Sequence, residues 1–326
     1  MFKSAKPLFL IVETSLHAGS GSDLGIVDLP IQREKHTGYP KIEASGIKGA
    51  IREIFSTQPN LKALELGWNI TSVEDNDHKK AVNLTFGPDT SDQSNLHAGA
   101  LGFTDARLLL FPVKSVSGVF GWITCPAVLE RFKHDLSICQ PSIAFDFSPP
   151  EENQVPIDSE LIINDSKIVL EEYTFEVKET DDCKNLADWI AGNCMPSDGV
   201  YTYWRNKIKN SLVVLSNDDF RDFVTLSTEV IARIKIDQKT GTVEKGALWY
   251  EEYLPSDSIL YSLALASPIF RENDNDKGIF QLTKQDRSEN RNESEKVIEF
   301  LEDGLPSVIQ LGGNATIGKG IVRTKI

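Results

Sequence analysis

Cysteine, histidine and long apolar runs are scarce in this 326-residue chain, and each scarcity removes a class of protein. The four cysteines (Cys125, Cys139, Cys183, Cys194) include no CxxC pair and have no close histidine. Neither a disulfide framework nor a zinc site follows from that spacing. No window approaches the ~18–20 apolar residues of a membrane span. The early run PLFLIV at 7–12 is too short, and no cleavage-type segment follows it, so no signal peptide is read and the cytoplasm is the expected compartment. GxSxG and HExxH are absent, and His134-Asp135 has no further metal ligand near it. The loop GGNATIGKG begins like a P-loop at Gly313, but Gly320 stands where the Mg²⁺-binding hydroxyl belongs. The following IVRTKI also reads as a strand, not as a phosphate-cradling helix. Gly19, Gly21 and Gly25 lack dinucleotide-fingerprint spacing.

Positive charge is scarce too. Lys and Arg number 34 against 48 Asp and Glu, a net charge of −14, which on bulk charge argues against a nucleic-acid binder. The distribution weakens that argument. Residues 151–182 carry eleven acids and two lysines, and residues 271–303 carry ten acids and six bases, so the two segments hold −13 of the total. The remainder is close to neutral, and 304–326 contain three bases and no acid. Screening over a Debye length of ~8 Å lets a basic groove coexist with acidic surface elsewhere. The acidic 151–182 segment is expected to face solvent or a basic neighbouring subunit.

What is present reads as an α+β domain on an antiparallel sheet. Residues 7–12 form an opening strand, followed by the Gly/Ser-rich HAGSGSDLGIVDLP. Ser45 is the expected N-cap of a helix in which Ile47, Ala50, Ile51, Ile54 and Phe55 recur at helical spacing, with Lys48 and Arg52 on the other face. Residues 68–99 are polar and turn-rich, which predicts a mobile insertion. Strands are expected at 100–111 and 117–124. A helix should start at Cys125-Pro126 with Val128, Leu129, Phe132 and Leu136 inward. The region 140–215 is an acidic insertion, irregular over 140–165, with a half-buried strand around Tyr173, Phe175 and Val177. A short helix at 217–226, a β-hairpin at 231–253, a helix at 294–303 and the Gly-rich loop before a last strand complete the chain. All 326 residues are read as one domain.

The segments LHAGSG, GIVDLPIQREKHTGYPKIEASGIKGAIR, GALGFTDARLLLFPVKSVSGVFGWITCPAVLERF, GALWYEEYLP and LGGNATIGKGIVR together resemble the RAMP superfamily of CRISPR proteins. More narrowly they resemble the backbone subunit of the type III-B (Cmr) effector complex, nearly end to end. The resemblance implies a modified ferredoxin-like, RRM-type core with insertions, and a thumb-like hairpin at 231–253. It implies a protein that lines up in further copies along a CRISPR RNA, beside other Cmr subunits. Complementary target RNA would be selected by base pairing and cut at regular intervals. A non-cleaving guide-binding scaffold of the same fold is the alternative, and an acidic interaction protein without RNA a third reading.

The resemblance also implies site residues. Asp28 would be the cleavage residue, binding a divalent ion (Mg²⁺ or Mn²⁺) or orienting the attacking 2′-hydroxyl. An Asp before Leu29-Pro30 is equally what a turn would choose. His17 is either a general acid or a structural histidine. Glu251 and Tyr253 match an acid and a tyrosine of the family's site, or an ordinary strand end. Lys48 and Arg52, with Ser45 and Arg33, would hold guide phosphates, the helix start adding free N–H groups. Glu43 departs from the family pattern and sets an acid near that path. Gly312, Gly313, Gly318 and Gly320 would let backbone approach RNA, with Lys319 supplying charge, or they form a tight turn. Trp249, Tyr250 and Leu254 are either base-contacting apolar groups or core.

Overall fold

The computed structural model describes residues 2–23, 25–58, 76–88, 97–139, 145, 148–164 and 166–326. Its strands are β1 (Ser4–Val12), β2 (Lys41–Ile42), β3 (Leu101–Phe103), β4 (Ala106–Lys114), β5 (Phe120–Thr124), β6 (Gln154–Pro156), β7 (Lys167–Leu170), β8 (Tyr173–Glu176), β9 (Lys178–Thr180), β10 (Leu212–Val214), β11 (Glu229–Ile236), β12 (Val243–Tyr253), β13 (Ile259–Ala266), β14 (Val308–Gln310) and β15 (Ile321–Lys325). Its helices are α1 (Ala44–Thr57), α2 (Asn76–Phe86), α3 (Pro126–Leu136), α4 (Asp181–Asn193), α5 (Thr202–Ser211), α6 (Asn217–Leu226), α7 (Lys284–Ser288) and α8 (Glu293–Gly304).

An 11-stranded sheet runs β14-β15-β1-β13-β4-β5-β10-β6-β9, with β2 and β3 attached beside β4 and β13. Its centre, β15-β1-β13-β4, is antiparallel throughout. β1 is apolar without alternation because helices cover both of its faces. From one face Ser4 bonds Ser294 and Lys6 pairs with Glu302, both on α8. From the other, Phe9 meets Phe132 of α3, whose ring also packs on Tyr261 and Trp189. Helix α1 buries Ile47, Ile51 and Phe55, and Phe55 touches Phe300 of α8 at 5.2 Å between centroids. The apolar spacing read for α1 and α3 thus marks their buried faces, and the helices expected at 217–226 and 294–303 are present as α6 and α8.

Three elements differ from the sequence reading. Within 68–99, residues 76–86 form α2, whose Ala81, Val82, Leu84 and Phe86 are buried, so this stretch packs as core; 68–75 and 89–96 lie outside the described residues. The region 140–215 contains α4 and α5. Thr180 caps α4 through the Cys183 N–H, and Cys183, Leu186, Ala187, Ile190 and Ala191 are buried at helical spacing. Ser45 is not the cap of α1. Glu43 holds that position without a side-chain cap bond, and Asp105 Oδ1 accepts from the Ala44 N–H at 2.9 Å instead. A cap supplied from across the sheet has no local sequence signature.

The hairpin β11–β12 is present, in register from Glu229–Tyr253 to Ile234–Leu248, with an irregularity before Ile236–Val243.

Candidate nucleic-acid interface

The Gly/Ser-rich segment after β1 is pinned as extended backbone. Leu16 and Leu254 exchange backbone hydrogen bonds at 2.9 Å, and the Gln32 N–H donates to the Ala18 carbonyl at 2.8 Å. The Leu29 N–H donates to the Tyr250 carbonyl and the Glu252 N–H to the Leu29 carbonyl, both at 3.0 Å. Residues 28–31 therefore run beside β12 as an added strand, with Ile26 projecting at the tip, 93% exposed.

This pairing fixes Asp28. Its Oδ2 accepts from the Tyr250 N–H at 2.7 Å, leaving Oδ1 without a hydrogen bond among the described residues. His17 hangs on the same strand, its Nδ1 2.7 Å from the Glu252 carbonyl oxygen. A carbonyl only accepts, so Nδ1 carries the proton and Nε2 is the atom free to exchange one. A Cβ on Gly19 would lie 2.8 Å from that Nε2, so the glycine keeps the ring's outer nitrogen clear. The two anchor points lie two strand residues apart, about 7 Å along β12.

Glu251 and Tyr253 sit behind this pair. Tyr253 has no exposed surface and Glu251 is 7% exposed. The Tyr253 hydroxyl donates to Glu251 Oε2, the Trp249 indole to Oε1 at 2.8 Å, and Arg233 Nε to Oε2 at 3.2 Å. Asn314, in the left-handed conformation, donates to Glu251 Oε2 at 3.0 Å and lies 2.8 Å from the Tyr253 hydroxyl. Burial pushes the Glu251 carboxyl up, but the Tyr253, Trp249 and Arg233 donors outweigh it and hold the group below its usual range. Burial, then the Glu251 carboxylate, pushes the Tyr253 phenol up. The Lys319 ammonium lies 4.9 Å from the Tyr253 ring centroid, and the His17 ring 5.5 Å. Tyr253 presents no surface in this structure, and its hydroxyl faces Glu251, Arg233 and Asn314. Arg233 and Asn314 belong to the cluster and were missed by sequence reading. The alternation Trp249-x-Glu251-x-Tyr253, facing Arg233 across the hairpin, was the available signal.

The Gly-rich loop closes the cluster from the other side. The Gly313 N–H donates to the His17 carbonyl at 2.9 Å. Side chains at Gly312 (φ 75°) and Gly320 (φ 73°) would collide with the carbonyls of His17 and Leu311 at 2.3 and 2.0 Å. These two are glycines because of the chain's own backbone, and Gly320 is buried. Gly312, Gly313 and Gly318 are exposed.

Arg33 does not present a free cation. Its guanidinium pairs with the buried Glu252 and donates to the carbonyls of Gly38 at 2.7 Å and Val224 at 3.0 Å. It ties the loop to the hairpin base and to α6. Lys48 and Arg52 form no ion pair among the described residues. Burial, with Arg52 beside it, pulls the Lys48 ammonium below its usual value, the mark of a cation short of an anion. At the start of α1 Asp105 claims the Ala44 N–H, and Lys41 pairs with Glu43 at 2.6 Å and Asp105 at 2.8 Å. Ser45 is exposed in the first turn. Leu254 is core, 3% exposed, whereas Tyr250 is 39% exposed.

A divalent ion finds a poor donor set here. Asp28 offers one unclaimed oxygen, Glu251 has its oxygens taken by four donors, and no group of three or more His, Cys, Asp or Glu able to hold a metal occurs among the described residues. The described residues do not fit a metal centre held by the protein. No helix among the described residues is long and apolar enough to cross a membrane.

The fold and this cluster define the class. The chain belongs to the RAMP superfamily, whose model matches residues 9–323. Within it, the chain is 37% identical over 313 residues to the CRISPR system Cmr endoribonuclease Cmr4 of Pyrococcus furiosus, covering 96% of this chain and 92% of the relative. It is 27% identical over 342 residues to the CRISPR system CMR subunit Cmr4 of Saccharolobus solfataricus, covering 98% and 96%. Among solved structures, oligomeric Cmr4 from Pyrococcus furiosus superposes with a TM-score of 0.64 at 29% identity, covering 98% of this chain and 96% of that one. A chain of the type III-B Cmr-beta complex bound to cognate target RNA gives 0.67 at 24% identity, covering 99% and 97%, a likeness of fold.

Proposed function

We propose that this chain is the guide-RNA-binding backbone subunit of a Cmr-type effector complex. It assembles in further copies along a CRISPR RNA, beside other Cmr subunits, and cleaves complementary target RNA at regular intervals. The observation that carries the reading is the pairing of residues 28–31 along β12, which holds Asp28 and His17 on one strand. The family membership and the relative named an endoribonuclease support it. The order β15-β1-β13-β4, with α1 lying between β1 and β4 in the chain and α8 between β13 and β15, supports a ferredoxin-like core. The protruding β11–β12 hairpin is the thumb of that reading.

In the reaction, Asp28 Oδ1 accepts a hydrogen bond from the 2′-hydroxyl, orients it toward the adjacent phosphate and takes its proton as general base while the 2′-oxygen attacks phosphorus. The P–O2′ bond forms, the P–O5′ bond breaks, and the products are a 2′,3′-cyclic phosphate and a 5′-hydroxyl. His17 Nε2, when protonated, supplies the proton to the departing 5′-oxygen. Glu251 and Tyr253 position rather than react, because burial keeps them off the substrate. Lys48 and Arg52 neutralise guide phosphates, with Lys319 at the exposed Gly-rich loop.

The test is Asp28→Ala in the reconstituted complex, with complementary RNA and Mg²⁺ or Mn²⁺. Guide binding and assembly should persist while cleavage stops. Cutting at the wild-type rate would refute the assignment. A wild-type complex that holds guide and target without cutting would make the chain a scaffold.

A further inference from the structure

A groove of about 630 Å³ lies between the β7–β8 hairpin and α6, in the acidic part of the chain. Glu171, Glu172, Asp219 and Asp222 line it, and no Lys, Arg or His does. Its walls are aromatic. The Tyr173 and Phe223 rings meet edge-on at 6.0 Å, and Phe175 stands 6.1 Å from Phe223. Glu171 and Glu172 form no ion pair among the described residues, while Asp222 shares Arg221 with Asp218. Tyr173 is 54% and Leu226 77% exposed at the edge, apolar surface that gains from being covered.

Carboxylates beside aromatic faces make a lining that accepts guanidinium and ammonium groups and the apolar stems that carry them. The same lining repels phosphate, which excludes an RNA strand. A second copy is a poorer occupant, since the unpaired cations this chain offers at the site described above, Lys48 and Arg52, are assigned to guide phosphates. The volume suits a few side chains of an extended segment.

We infer that this groove docks an Arg- or Lys-bearing segment of a different, basic subunit of the assembly. The inference rests on the proposal that the chain works within a multi-subunit effector.

The test uses the whole purified complex, with Leu226→p-benzoylphenylalanine as a photo-crosslinking probe. The expected product joins this chain to an Arg- or Lys-bearing segment of another kind of subunit. A crosslink to RNA, to a second copy, or to nothing overturns the inference. In a second arm, Glu171→Lys with Glu172→Lys is compared by native mass spectrometry. One non-identical subunit should be lost, its affinity at least tenfold lower, while guide RNA and the repeated copies remain. Unchanged composition overturns the inference. Absence of guide and of other subunits from the wild-type preparation would overturn the effector reading instead.

Discussion

The two ends of the β11–β12 hairpin are built by opposite rules. At the base, Glu251 and Tyr253 are buried and claimed by donors from β11, β12 and the Gly-rich loop. Farther out, Ile234, Ile236, Val243 and Leu248 are each about half exposed on a two-stranded ribbon. A two-stranded ribbon alone is marginal in water, so the base must supply its rigidity. The base is made to hold a geometry, and the outer part to meet something. The network fixes where β12 runs, β12 fixes Asp28 and His17, and the outer part leaves apolar surface uncovered.

The comparison can be broken in several ways. The largest effect is expected at Asp28: Asp28→Ala should lower target cleavage by about 10³-fold or more with guide affinity unchanged, measured in single-turnover assays. His17→Ala follows, with a loss of about 10²-fold in the same assay. For guide binding, Lys48→Ala with Arg52→Ala should reduce the log–log salt slope of affinity by about 1.4, two phosphate contacts on a single strand. An unchanged slope would remove α1 from the phosphate path.

At the base, Glu251→Gln should cost about 1–3 kcal/mol of stability at neutral pH, read from denaturant unfolding. Its folded-state pKa is depressed. Its contribution is therefore fully present above the ordinary carboxylate value and disappears as pH falls through the depressed one. Wild type and variant should converge in acid, and a gap that persists there would mean the loss is one of packing. The smallest stability effect belongs to the outer ribbon: Leu248→Ser should change unfolding free energy by less than about 0.5 kcal/mol. The same change should weaken assembly on guide and target, scored by native gel. A large loss of stability would show that the ribbon is supported by its own chain. Metal dependence sharpens the picture further. With Asp28 as a lone carboxylate, any Mg²⁺ requirement should half-saturate in the millimolar range, and a micromolar one would reveal a site built by protein.

Much of the frame was legible. Periodicity located α1 and α3, because each has one face against the protein and one in water. Helix α4 was legible in principle, from Thr180 followed by Cys183, Leu186, Ala187, Ile190 and Ala191, but the sequence reading assigned no element there within the acidic insertion 140–215. Helix α2 was hidden by the polar residues around it. Of the candidate site, the resemblance pointed to Asp28, and His17 was singled out by its place at the head of the same Gly-rich loop. The burial of Glu251 and Tyr253, the use of Arg33 as an internal tie and the cap from Asp105 were not legible, since each depends on a partner far away in the chain.

The amino-acid sequence by itself determined the family, the alternating and helical faces, and the segregation of negative charge into two segments, because these are local or compositional properties. Tertiary structure alone decided which cations are free and which carboxylates are occupied. Arg33 and Lys48 are both basic residues within one short stretch. One meets buried Glu252 and the other meets no acid among the described residues, and only the folded path of β12 determines that difference.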